Sequence, residues 1–351
     1  MSFTSRLLRM ASLLLAVFAG QSSYAFNITT PVTGPVDTST TGGVLNEDGD
    51  HTVSNEGSVT VDGTPAAPGA VVIIDHSDTR NVVIDGPITV NDRSEDEITD
   101  FDANNAIGVL VGDGAPVSGD ITFGSLSHIT LVDDKPLADE DGDEYVDGIY
   151  NDSGVYVAGS FAQDDGRIGV YVPQNLTGDL IALNGARVTV TSDNGGGFNI
   201  SGDISGRINI SPTLNYRGAD TSLDTSDDAV GIGIYGDVTD FVRVGGSVSV
   251  TGANTVGLRV SGDLTRSLQL EGSISTTGFT TIGVSNAGDP DTMLDVNELG
   301  TSTATVKLTG NVGEGVLIGG NINAIATPSE TASLEAITQT RIDGGDVTGL
   351  K

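Results

Sequence analysis

The sequence predicts an all-β solenoid, a chain winding about a long axis in coils of about 26 residues, on three observations. The first is a gap-free repeat: Ala229 to Asn254 reads AVGIGIYGDVTDFVRVGGSVSVTGAN and Thr255 to Thr280 reads TVGLRVSGDLTRSLQLEGSISTTGFT. The second is that each unit holds three short runs in which apolar residues alternate with polar ones. The third is that glycines, mostly paired with an acidic residue, separate these runs.

Ten positions of the two units are identical, and six more exchange one branched aliphatic for another: Ile232/Leu258, Ile234/Val260, Val238/Leu264, Val242/Leu268, Val244/Leu270 and Val248/Ile274. Looser copies extend both ways. Gly197 to Ile204 matches Gly257 to Leu264, Gly169 to Val172 opens an earlier copy, and Val306 to Val312 with Gly320 to Asn323 forms a later one. Gly57 to Val61 and Gly86 to Val90 reproduce the third run near the start. Self-similarity at a fixed period of this length is the signature of repeat architectures.

Alternation with period two gives one inward and one outward face. Runs of three to five residues cannot bury a face alone, but if each unit closes one coil, Leu258 lies over Ile232 and Leu270 over Val244, and stacking supplies the core. Glycine at Gly236/Gly262 and Gly246/Gly272 is expected to permit positive φ at sharp corners. Small β-branched residues suit a narrow interior better than aromatics. At about 4.8 Å per coil, 10–12 coils would make a rod of roughly 50–60 Å. An array of antiparallel β-sandwiches is the rival fold, since short strands and glycine turns recur there too.

The first 25 residues place Arg6 and Arg9 before an apolar run from Met10 to Ala19, then small residues at Ser23 and Ala25. That pattern predicts a signal peptide with a mature start at Phe26. The expected organisation is a leader over 1–25, a flexible or capping segment over 26–50, the solenoid over 51–325, and an incomplete further coil or frayed end over 326–351.

The chain carries 15 Lys+Arg against 48 Asp+Glu, a formal charge of −33. Without Arg6 and Arg9, 13 basic residues face 48 acidic ones, giving −35. This argues against nucleic acid, whose affinity comes largely from basic side chains meeting phosphates, and against anionic membrane surfaces. There is no cysteine, so neither disulfides nor thiol chemistry is available. Aromatics are 5% and glycine numbers 49, which disfavours a core of large side chains, while 37% hydrophobic residues in alternating runs are too many for a disordered acidic tail.

The run Gly262 to Gly278, read as GDLxxxLxLxGSISxTG, resembles the repeats of large autotransporter-like passengers of alphaproteobacteria, and the resemblance spans most of residues 50–325. It implies a right-handed parallel β-helix displayed outside the cell, usually followed by a C-terminal β-barrel in the outer membrane. A barrel needs many strands of about ten residues with aromatic girdles, and only 45 residues follow Val306. The expectation is the N-terminal part of a longer passenger or a free secreted solenoid, tied to the outer membrane only through a barrel absent from this chain.

The most specific local feature is Asp139-Glu-Asp-Gly-Asp-Glu-Tyr-Val-Asp147, with Asp139, Asp141, Asp143 and Asp147 at relative positions 1, 3, 5 and 9. Alternate acids about a glycine turn can converge on Ca²⁺, which takes six to eight oxygen ligands. The spacing is not that of an EF-hand, and a solvated acidic insertion reads equally well from the same residues. Asp92 to Asp102 and Asp220 to Asp228 are further acidic insertions. Asp237 and Asp263 follow corner glycines and are expected to hydrogen-bond their own turns. His51, His76 and His128 lie far apart in sequence, with no metal-ligand spacing, and Arg243, Arg259 and Arg266 read as surface residues. The functional expectation is an exported, surface-displayed passenger with a structural or adhesive role and no catalysis, facing a host cell, a neighbouring cell or polysaccharide. The alternative is a calcium-dependent, polysaccharide lyase-like β-helix.

Overall fold

A computed structural model describes residues 27–38, 50–62, 69–76, 79–91, 105–132, 166–218, 229–252, 255–279, 304–327 and 340–342. The chain is a right-handed parallel β-helix. Three sheets of nine strands each run along its length, and every strand takes its neighbours from the coils before and after it. All strand pairings among the described residues are parallel, so the antiparallel sandwich does not apply. We call the sheets A, B and C in the order the chain visits them. Nine coils are present among the described residues, covering 27–37, 51–74, 82–111, 121–172, 180–200, 208–234, 242–260, 267–308 and 315–342. Nine rungs span roughly 40 Å at about 4.8 Å each.

The register follows the aliphatic exchanges residue for residue. Ile232 pairs with Leu258 and Ile234 with Val260 in sheet C, while Val242 with Leu268 and Val244 with Leu270 make sheet A. Val248 pairs with Ile274 in sheet B, and Val238 bridges to Leu264 at the corner between C and A. These side chains are 0–2% exposed. Each forms part of an inner column of stacked aliphatics, where removing a Val, Leu or Ile side chain from water contributes roughly 1.5–3 kcal/mol.

The interior also takes aromatics. Phe123 and Phe198 meet edge-on with ring centroids 6.1 Å apart. Ala182, above Phe123 in sheet A and in the same coil as Phe198, makes room for both rings. The narrow bore therefore tolerates a large residue where a small one compensates. Sheet C also departs from simple alternation: outward-facing Ile73 and Leu110 are 8% and 3% exposed and form a second apolar cluster with Ala70 and Ile107, against which Tyr171 packs.

Corner glycines recur for a different reason from the one the sequence suggested. Of the four at Gly236, Gly262, Gly246 and Gly272, positive φ is found at Gly246 alone, at 68°. At the others contact between coils excludes a side chain: a Cβ on Gly236 would fall on the carbonyl oxygen of Gly202, one on Gly262 on that of Gly236, and one on Gly272 on that of Gly246. Coils one rung apart bring backbone against backbone there, and only hydrogen fits.

Candidate functional site

The four acids singled out for calcium, Asp139, Asp141, Asp143 and Asp147, lie outside the described residues. The described strands on either side do fix where their segment leaves the solenoid and where it returns. It follows the sheet B strand His128–Val132 and precedes the sheet C strand Ile168–Val172. The insertion with Asp92 to Asp102 likewise separates Pro87–Asn91 from Ile107–Val111, and that with Asp220 to Asp228 separates Thr213–Arg217 from Val230–Ile234. All three leave from the same B-to-C corner, as does the segment between Ser273–Phe279 and Ala304–Leu308. More than half of the 48 acidic residues belong to connections at this one edge.

The long insertion rejoins the coil at a hydrogen-bonded corner. Arg167 is 0% exposed, and its backbone N–H donates to Ser192 Oγ at 2.9 Å. Ser192 Oγ donates to the Asp193 carbonyl at 2.9 Å, and the Tyr216 hydroxyl donates to the Ser192 carbonyl at 2.6 Å while accepting the Gly195 N–H at 3.2 Å. Asn194 takes a left-handed φ of 47° to complete the bend, a conformation that asparagine tolerates better than most residues.

The corner aspartates do not bond their own turns; they join one coil to the next. Each side-chain oxygen accepts the backbone N–H of the equivalent residue one coil on: the Asn175 carboxamide from Asp203 at 3.0 Å, then the carboxylates of Asp203 from Asp237 at 3.0 Å, Asp237 from Asp263 at 2.8 Å, and Asp263 from Asn311 at 2.9 Å. A second such column runs from Asn81 through Asp120 to Asp179. Extra hydrogen bonds from the Asn311 backbone and side chain hold the Asp263 carboxyl below its ordinary pKa.

The surface arginines also bridge coils. Arg243 binds Glu271, with Nε 2.7 Å from the carboxylate, and Arg266 binds Asp240 at 2.9 Å and Glu314 at 3.4 Å. Arg259 lies over the Tyr235 ring, 5.6 Å from its centroid, and donates to Ser261. Such exposed pairs contribute little individually, roughly 0.2–1 kcal/mol for a pair like Arg243–Glu271.

Sequence spacing missed one contact. His51 and His76 stack with ring centroids 4.6 Å apart, and both are buried. His76 Nε2 faces the carbonyls of Arg80 and Ser118 at 3.1 and 3.3 Å, and Nδ1 faces Thr38 Oγ1 at 3.4 Å. Their separation of 25 residues is close to one coil, the signal that could have revealed the pair. Stacked rings do not converge their nitrogens on one point, and among the described residues no group of three or more His, Cys, Asp or Glu could hold a metal. A hollow of about 90 Å³ beside Asn194, Asn199 and Tyr235 has room for a few waters; small-molecule sites run to several hundred Å³.

Compared with known proteins, the chain matches no family model, no curated protein and no solved structure.

Proposed function

We propose that this chain is an exported, surface-displayed solenoid passenger whose role is structural or adhesive. The observation that supports this most directly is how the coil-to-coil contacts are made. The polar residues that recur at corners, among them Asp203, Asp237 and Asp263, join one coil to the next, as do Arg243 and Arg266. Recurrent chemistry of this kind builds a stiff support and leaves recognition to outer faces and insertions. The leader-like segment over residues 1–25 gives the route out of the cytoplasm.

The test is expression of the full chain in a Gram-negative host, followed by N-terminal sequencing and a cell-adhesion assay with beads coated in the purified product. The reading predicts a mature protein beginning at Phe26 and coated beads that attach to cells. An uncleaved cytoplasmic product overturns it, and beads that attach no better than albumin-coated ones overturn the adhesive role.

A further inference from the structure

Sheet B presents an outer face whose chemistry repeats along the solenoid. Its central outward column runs in register through Thr33, Thr60, Thr89, Thr130 and Thr189 of the first five coils. Asn215, Ser249, Ser275 and Asn323 continue it at the same register position. The first eight described coils therefore each place a hydroxyl or a carboxamide there. Flanking outward positions carry more of the same in coils seven and eight, with Ser247 and Thr251 beside Ser249 and Ser273 and Thr277 beside Ser275, whereas coils three to six place Pro87, His128, Arg187 and Arg217 there.

The other two walls do not behave this way. The outward column of sheet A passes through Thr52, Val83, Thr122, Ile181, Asn209 and Arg243. That of sheet C changes from Ile73, Leu110 and Tyr171 to Asn199, Gly233 and Arg259. Strand propensity favours threonine on any exposed sheet, and all three walls are exposed to that preference equally. Only sheet B keeps one chemistry throughout.

Charge sets this face apart a second time. Among the described side chains at outward positions of its strands from Ser58–Asp62 to Ser273–Phe279 there is no acid, in a chain with 48 acidic residues. The acid-rich insertions leave along the bordering B-to-C edge and would repel an anionic polymer.

We propose that the outer face of sheet B binds a neutral, ordered polysaccharide lying along the solenoid axis. The proposal rests on the adhesive reading above and names the ligand class for it. The column offers a group that can both donate and accept about every 4.8 Å, with a second row, Thr213, Ser247 and Ser273, about 6.6 Å away along the strands of coils six to eight. The step along the axis is close to the length of one sugar unit in an extended chain. A single hydrogen bond exchanged with water contributes little, so affinity must come from many on a scaffold already ordered. Threonine methyls supply apolar contact for the faces of the sugar rings.

The test uses the full mature chain and its retention on microcrystalline cellulose and on chitin at neutral pH and physiological salt. The quadruple variant T60V/T89V/T130V/T189V keeps the β-branched shape and removes four hydroxyls. The matching Thr→Ser quadruple keeps the hydroxyls, and T52V/T122V on sheet A is the control. The wild type and the control should be retained on one or both polymers. The valine variant should bind about tenfold more weakly or worse, and the serine variant within a few-fold of wild type. If circular dichroism shows the valine variant misfolded, T89K/T130K replaces it, with the same loss expected. No retention of the wild type on either polymer overturns the proposal, and so does undiminished retention of the altered face. If the wild type instead inhibits ice recrystallisation through these threonines while neither polymer retains it, the face belongs to an ice surface and the polysaccharide assignment falls. Beads that attach to cells without retention on either polymer would leave the adhesive reading intact and remove only this assignment.

Discussion

At the corner between sheets C and A, Asp263 accepts a backbone N–H from the next coil, and this gives the junction its acid response. Its folded pKa lies below the ordinary carboxylate value because Asn311 donates from both backbone and side chain. A depressed pKa contributes stability that is present above the unfolded value and lost as pH falls through the folded one. Hydrogen exchange over residues 304–312 should therefore lose protection as pH drops below about 4. Asp263→Asn keeps an acceptor for the Asn311 amide, as Asn175 already does for Asp203, so this variant should show a flat profile over the same range. Asp75 carries the opposite sign. Burial first, then Asp37 and Asp113, push its pKa up, with His76 pulling the other way. The folded state here resists the charged form, so the penalty is complete above the folded pKa and fades as pH falls to the unfolded value near 3.9. Asp75→Asn should raise the stability of the first three coils at neutral pH and remove that pH dependence, read by exchange over residues 69–76.

Within one coil, the aliphatic columns and the glycine corners answer to different constraints, and substitutions should separate them. Leu268 is 0% exposed in the inner column of sheet A, between Val242 and Val316. Leu268→Ala removes buried volume that the stacked neighbours cannot refill, and should cost about 2–5 kcal/mol in denaturant unfolding. Gly262→Ala adds a single methyl group at a position whose φ is ordinary, yet the new Cβ would fall on the Gly236 carbonyl oxygen. It should cost about 1–3 kcal/mol through forced separation of coils seven and six, visible as exchange of the amides around Val238 and Leu264. The columns were legible in the sequence because Ile232/Leu258 and its companions exchange like for like at one spacing. The corners were only half legible, since recurrence of Gly236 and Gly262 shows that glycine is required without showing that the reason is a neighbouring backbone. The same limit applies to the aspartates: Asp237 and Asp263 recur whether a carboxylate bonds its own turn or the next coil, and only the three-dimensional register separates the two.

Over the whole solenoid, legibility falls wherever insertion lengths hide the period. Ile121 pairs with Leu180 across the long acidic insertion, while Leu180 pairs with Ile208 after a short coil. Only stacking reveals that the insertions with Asp92, Asp139 and Asp220 all leave one edge, or that Thr60 and Thr189 share a column. The same stacking predicts how the molecule comes apart. Each coil touches only the coils before and after it, so stability should be close to a sum of coil terms and nearest-neighbour junctions. Ile232 sits at the centre of that chain of junctions, 0% exposed between Phe198 and Leu258. Ile232→Asp would place a carboxylate in the apolar bore with no cation in the adjoining inner column, a cost of several kcal/mol. In a cooperative globule that loss would spread evenly. In this solenoid it should be felt first in coils five to seven, while the amides of coils two and three keep their protection, because their junctions are made entirely with other neighbours. Hydrogen exchange resolved by peptide measures this directly. Uniform loss of protection from residue 51 to residue 318 would show that the coils are coupled over longer range than nearest-neighbour stacking provides.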